Sequence, residues 1–359
     1  MSPVPHIIVG LSGGVDSAVA ALRLKQEGFQ ITGLFMKNWE EEDTTTYCSS
    51  EEDLNDIRAV CDKIKIELLT INFAYEYWQN VFREFLDEYA AGRTPNPDIL
   101  CNQEIKFKCF LDYALKQGAD YIATGHYARI NCNNENNKFY LRRGVDTEKD
   151  QSYFLYRLTQ NQLSRVIFPL GEYTKPEVLD IAGSLDLPVD EIRESQEVCF
   201  VTQEGYQDFI ANRIPASVSH GKFVSSSGET LGEHKGIAFY TIGQRRGLGV
   251  SAGERLYVVN INTSRNEIVL GKEEEVYTSG LIASDIHTIS GEPMSEAMRL
   301  FARIRYRHEG SKATITPIGE GRQRVIFNEP QWAITPGQSI VFYDGDMVIG
   351  GGIIESPIH

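Results

Sequence analysis

Apolar positions follow two alternating periods over the first 130 residues. Ile7-Ile8-Val9 reads as a short buried strand; Val15, Ala18, Val19 and Leu22 follow at helical spacing, and Gly28 stops them. Residues 30–36 (QITGLFM) predict a second strand, and Ser49 or Ser50 caps a helix with Leu54, Ile57, Val60, Cys61 and Ile64 on its apolar face. Residues 68–71 are strand-like, 75–89 and 105–115 helical, and 121–123 strand-like again. Strands alternating with helices predict an α/β domain, a doubly wound parallel sheet covered on both faces. Ligands of such sheets bind at the carboxyl ends of the strands, where Gly10-Leu11-Ser12 and Thr124-Gly125-His126 fall.

Downstream the pattern changes twice. Residues 131–137 (NCNNENN) predict a polar loop followed by a hairpin. Residues 151–214 read as short helices, one opening on Thr174-Lys175-Pro176-Glu177 with threonine as cap and proline in the first turn. From residue 215 onward, runs such as RLYVVNI, NEIVLG, RVIFN and SIVFYDGDMVIG alternate with Gly, Asn and Asp turns, which predicts an all-β remainder. Three domains are expected: 1–214, a small central β-rich domain at 215–278 and a C-terminal β-barrel at 279–359.

Between the first strand and the first helix lies Ser12-Gly13-Gly14-Val15-Asp16-Ser17, more than a turn requires. A strand-to-helix loop points several backbone N–H groups into one concavity, and the helix dipole adds roughly half a positive charge there. Gly13 and Gly14 allow close backbone approach to an anion, and Ser12 and Ser17 add hydroxyls. Asp16 would repel phosphate on its own, which points to a magnesium ion between them. No Gly-Lys-[Ser/Thr] follows, so this is not a Walker A loop.

Residues 92–102 read GRTPNPDILCN. Two prolines stiffen an extended loop, and Cys101 falls near a helix start, where the dipole and a nearby cation favour thiolate; Arg93 and Lys106 are the candidate cations. Asp98 is placed to relay a proton to a substrate beside the thiol. Taken alone, Cys101 also fits a buried cysteine near a helix cap. Cys199, in ESQEVCF (194–200), carries no local mark of reactivity; Cys61 and Cys109 read as packing, Cys132 lies in the polar loop, and Cys48 has no assignable place.

Composition limits these readings. Six cysteines without a C-x-x-C pair make neither a disulfide scaffold nor a zinc site, so no resident metal centre is expected. No apolar stretch approaches a membrane span and the N-terminus lacks a signal-peptide pattern, so a cytoplasmic protein without membrane contact is expected. The net charge of −15 runs against nucleic-acid binding, but it is uneven. Residues 215–359 hold 14 Lys/Arg against 16 Asp/Glu, and residues 1–214 hold 21 against 34.

SGGVDS resembles the signature of the PP-loop ATP pyrophosphatases, which break ATP between its first and second phosphates. FMKNW (35–39), GRTPNPDILCN, ATGHYARI, KDQSYFLYRL, SQEVCF and YTIGQRRGLG then occur in the order seen in the tRNA-specific 2-thiouridylases. The likeness extends to Gly350-Gly351-Gly352, with SQEVCF standing where many relatives have SQGICF. This resemblance implies a PP-loop/HUP-like sheet within 1–214, together with a helical tRNA-contacting part. ATP would lie on Gly10, Leu11, Ser12, Gly13, Gly14, Val15, Asp16 and Ser17, with the Met36 backbone at the adenine and Gly125 near the nucleotide. Asn96, Pro97 and Asp98 would hold a flipped-out wobble uridine of the anticodon. Cys199 would carry a persulfide received from a donor protein (a cysteine desulfurase or a sulfur-relay carrier), with Cys101 as its disulfide partner. His126, Lys149, Asp150, Gln151, Arg305, Tyr306 and Gln338 would contact tRNA, and Arg245-Arg246 is a further phosphate-contact candidate. The strand-like stretch 303–307 (RIRYR) would place three arginines on one face and Tyr306 on the other. The enzyme is expected to act as a monomer. Three alternatives stay open: a nitrogen-transferring PP-loop ligase, a non-catalytic nucleotide-sensing RNA-binding protein, and a thiolase with an iron–sulfur cluster on Cys101, Cys199 and a carboxylate such as Asp98.

Overall fold

The computed structural model describes residues 3–39, 49–184, 187, 213, 219–250 and 253–358; Cys48 and Cys199 lie outside the described residues, as does the expected boundary at 214–215. The first sheet contains β1 (His6–Leu11), β2 (Gln30–Lys37), β3 (Glu67–Asn72) and β4 (Tyr121–Ala123). A hairpin of β5 (Ala128–Asn133) and β6 (Lys138–Arg143) comes next, and β7 (Val166–Ile167) completes the sheet in the order β3-β2-β1-β4-β7. All four pairings are parallel. Period-two alternation along β1 feeds two cores. Ile7, Val9 and Leu11 pack with helices α1 (Val15–Gln26) and α2 (Ser49–Ile64), while Ile8 packs on the other face with Val81, Phe82, Phe107 and Phe110. Among the described residues no helix is long and apolar enough to cross a membrane.

The helical stretch expected at 75–89 runs from Ala74 to Ala90 and contains a π-helical turn at Trp78–Phe82. The one expected at 105–115 starts earlier, at Pro97, and is π-helical over Cys101–Cys109. The polar run at 131–137 lies inside the hairpin, not ahead of it. Asn133 and Asn136 accept from the backbone N–H groups of Glu135 and Lys138, and Asn137 takes a left-handed φ of +53°. Asparagines therefore build this turn by bonding their own backbone.

The central sheet comprises β8 (Gly221–Ser225), β9 (Thr230–His234), β10 (Tyr257–Asn262) and β11 (Glu267–Gly271), in the order β10-β11-β8-β9. It closes on Phe223, Val258, Ile268 and Leu270. The last region holds β12 (Tyr277–Thr288), β13 (Met298–Arg303), β14 (Ser311–Pro317), β15 (Gln323–Trp332), β16 (Ser339–Asp344) and β17 (Met347–Ile358). Their order is β12-β15-β14-β13-β16-β17, and pairing of β12 with β17 closes the barrel. The β5–β6 hairpin crosses from the first region to extend this sheet through Met347↔Arg142. Arg129 and Arg142 both pair with Asp346 there, at 2.8 and 2.7 Å.

Four described histidines, His126, His234, His287 and His308, are held below the ordinary imidazole pKa by burial, His308 at about 4. Each folded pKa lies below the unfolded one, so the unfolded chain takes up protons first as pH falls. Stability is therefore expected to be complete above 6.5 and to fall as pH drops from there toward 4. Asp98 and Glu84, whose pKa values burial raises, act in the opposite sense but are outnumbered. A urea midpoint lower at pH 5 than at pH 7.5 is the expected result; equal midpoints would contradict it.

Candidate active site

The chain leaves β1 toward β2 and β3 on one side and later returns to β4 and β7 on the other, so the β1/β4 crevice is the topological switch point. Residues 12–14 cross its mouth. Gly13 has φ +81°, a conformation natural to glycine. The Ser17 hydroxyl donates to the Gly14 carbonyl at 3.0 Å and accepts from the Ser12 N–H at 3.2 Å, curling the loop around the start of α1. A Cβ on Gly125 would lie 2.8 Å from Ser17 N and 2.9 Å from the Asp16 carbonyl carbon; only glycine lets the end of β4 press on this helix start. A Cβ on Gly10 would meet Met36 Cε and Phe110 Cε1, both at 3.2 Å, so these three residues form one wall.

Two carboxylates border the loop. Asp53 Oδ1 lies 3.7 Å from the point where a Cβ on Gly13 would sit. Asp16 Oδ1 accepts from Tyr127 Oη and Lys175 Nζ, each at 2.7 Å. Neither partner is legible in sequence: Lys175 is 159 positions away, and its Thr-Lys-Pro-Glu context marks only a helix start.

The cysteine loop is built by capping. Asn96 Oδ1 accepts from the Asp98 N–H at 3.2 Å, Pro97 occupies the first turn of Pro97–Leu100, and Cys101 opens the nine-residue π-helix. π-helical turns are uncommon and concentrate at functional sites. Cys101 is 5% exposed, and the neighbouring Asn102 amide donates to the Phe154 carbonyl at 3.2 Å. Of the two candidate cations, Arg93 is drawn off to Glu88, with Nε to Oε2 at 2.7 Å. Lys106 instead acts on both Asp98 and His126. Asp98 is exposed to solvent, with protein packed close enough to its carboxyl to strip part of its hydration. The lost hydration pushes its carboxyl above the ordinary range, and Lys106 draws it partly back.

Both other regions hold this loop in place. Gln338 Nε2 donates to the carbonyls of Thr94 at 2.8 Å and Pro95 at 3.2 Å, and the Thr94 N–H donates to the Pro336 carbonyl at 2.9 Å. A Cβ on Gly337, at φ +90°, would fall 2.9 Å from Thr94 N. From the central region, Thr241 Oγ1 lies 3.3 Å from Thr94 Oγ1. All three regions of the chain meet at residues 92–98.

Family models match end to end. A tRNA methyl transferase HUP domain covers residues 5–203, a tRNA methyl transferase PRC-barrel domain 207–272, and an aminomethyltransferase beta-barrel domain 278–354. The tRNA-specific 2-thiouridylase MnmA of Proteus mirabilis is 50% identical over 362 residues, 98% of this chain and 98% of its own. The chain belongs to the tRNA-specific 2-thiouridylase family. The MnmA of Haemophilus influenzae (strain 86-028NP) is 50% identical over 361 residues, 98% of this chain and 93% of its own. A solved 4-thiouridine synthetase–RNA complex with bound ATP aligns at 18% identity and TM-score 0.36, over 59% of this chain and 52% of that one.

The thiouridylase resemblance assigned several residues to tRNA that the structure places inward. Asp150, with a fully buried side chain, accepts from Arg143 Nε at 2.9 Å, Arg303 Nη1 at 3.2 Å and the backbone N–H groups of Gly144 and Ser152. That buried carboxylate joins the hairpin to the barrel. Gln151 accepts from the Tyr127 N–H at 3.0 Å. His126 is buried between Phe107 and Phe168, with Nδ1 2.7 Å from Thr124 Oγ1. β13 ends at Arg303, so 303–307 is not a strand and its arginines do not share a face. Arg303 turns in to Asp150, Arg305 is half-buried with Nη1 on the Trp332 carbonyl at 3.1 Å, and Arg307 is exposed. Tyr306 packs on Phe154 at 4.5 Å between ring centres. Arg245 and Arg246 are exposed.

Proposed function

We propose that this chain replaces O2 of the wobble uridine in a tRNA anticodon with sulfur, consuming ATP. The observation that carries the reading is the shared wall between its two centres. The helical stretch that opens at Cys101 sets Phe107 against His126, 5.6 Å between ring centres, and Phe110 against Gly10 at the end of β1, while Gly125, next to His126, abuts the start of α1.

The loop amides and serines would hold the triphosphate, and Asn96, Pro97 and Asp98 would receive a uridine extruded from its stack, since C2 is shielded while stacked. The O2 lone pair bonds to the α-phosphorus, pyrophosphate leaves with the electron pair of the broken P–O bond, and the uracil N3 proton passes to solvent. The terminal sulfur of a Cys199 persulfide, supplied by a donor protein, then attacks C2 and AMP departs. Cys101 thiolate attacks the Cys199 sulfur, leaving sulfur on the base and a Cys101–Cys199 disulfide for an external reductant. Holding base, nucleotide and thiols together supplies a large effective molarity. Asp16 and Asp53, the two carboxylates bordering the loop, would hold a magnesium ion, which would neutralise phosphate charge there.

ATP should yield AMP only when tRNA is added, and Cys199→Ser should abolish thiolation. A nitrogen-transferring ligase would keep full activity in that variant, and an RNA-binding sensor would form no AMP. Gln338 serves this reaction by fixing residues 94–95. Gln338→Ala is expected to lower kcat about 10–100-fold with the KM for tRNA within about twofold. A raised KM with unchanged kcat would mark Gln338 as an RNA contact instead.

A further inference from the structure

The helix Lys175–Ser184 packs on α1, burying Val178 and Ala182 in the core shared with Val15, Ala18 and Val19. Its first residue is anchored at both ends. The Lys175 backbone N–H donates to Asp146 Oδ2 at 2.8 Å, and its ammonium donates to Asp16 Oδ1 at 2.7 Å. The Lys175 side chain is 13% exposed and that of Asp16 36%, so the ammonium is largely enclosed while the carboxylate reaches solvent. Enclosing an ammonium is costly, and a single carboxylate oxygen already shared with Tyr127 offsets only part of that cost.

Strand order fixes which end of a nucleotide this cation would face. Met36 lies on β2, the loop at the end of β1, and Gly125 and Tyr127 just past β4; Lys175 follows β7, on that same side. A nucleotide with its base at Met36 therefore runs its phosphates across β1 toward Lys175. Among the described contacts the ammonium uses one of its three protons, on Asp16.

We propose that Lys175 binds the β- and γ-phosphates of ATP and stabilises the departing pyrophosphate. This rests on the thiolation reading for the identity of the reaction and on the seat of the base at Met36 for the direction of the phosphates. The uracil oxygen bonds to the α-phosphorus, the bond from that phosphorus to the bridging oxygen breaks, and the electron pair leaves on pyrophosphate, whose oxygens accept from the Lys175 ammonium. The lysine keeps its proton throughout.

The test is a double-mutant cycle on ATP binding, measured by calorimetry on the full chain with EDTA present and no tRNA. Lys175→Met is expected to weaken ATP binding about tenfold or more, and by a similar factor in the Asp16→Asn background, with Lys175→Arg recovering part of the loss. If the loss disappears in the Asp16→Asn background, Lys175 acts only by neutralising Asp16 and the proposal is overturned. Unchanged ATP affinity in Lys175→Met overturns it too. The thermal midpoint and tRNA affinity of Lys175→Met should match the parent chain, and a collapse of both would assign the lysine to folding alone. Absence of tRNA-dependent AMP formation by the parent chain would sink the thiolation reading, while the ATP-binding cycle still decides the role of Lys175.

Discussion

Cys101→Ser is expected to reduce thiolation by at least ~10³-fold, the scale of losing a reacting group that no neighbour replaces. A hydroxyl in that place has the wrong acidity and cannot form a disulfide. The side chain is small and nearly enclosed at the start of the π-helix, so fold and ATP loop should survive the change. What accumulates separates two chemistries. If Cys101 resolves the persulfide directly, one AMP is released per tRNA and a tRNA joined through a disulfide to Cys199 builds up. If Cys101 first frees sulfide, adenylated tRNA accumulates and AMP stays bound to it. Thiolation near the parent rate would remove Cys101 from the mechanism.

The largest stability effect is expected at Asp150. Asp150→Ala leaves the guanidiniums of Arg143 and Arg303 facing a buried gap, and removal of one partner from a buried ionic network costs about 3–5 kcal/mol. Arg303 keeps a bond from Nε to the His308 carbonyl at 2.9 Å and lies over the rings of Tyr153 and Tyr343, so it cannot swing out to water without unpacking them. The loss should appear as a lower denaturant midpoint with tRNA affinity of the folded protein unchanged. Unaltered stability combined with altered tRNA affinity would restore Asp150 to the RNA face.

The parts of this molecule that announce themselves in sequence are those whose chemistry is local. The loop 12–17 lies within one strand–turn–helix, so its glycines, hydroxyls and carboxylate can be read together. The alternation of Ile7, Ile8 and Val9 between two cores follows from strand periodicity. Asp150 and Gln338 are different: each is a polar residue in a loop-like context, which looks solvated until topology is known. Only the hairpin's crossing onto the barrel buries Asp150, and only the barrel's contact with residues 94–95 employs Gln338, across 244 positions. Lys175 was hidden for the same reason. Periodicity also misjudged 303–307: β13 ends at Arg303, whose side chain turns in to Asp150.

Mass spectrometry of nucleosides from tRNA incubated with this protein, ATP, magnesium and a persulfide source is the most direct measurement. One anticodon uridine should gain the mass of sulfur in place of oxygen, with one AMP formed per sulfur inserted. An unchanged nucleoside profile under conditions where the protein binds both ATP and tRNA would contradict the account.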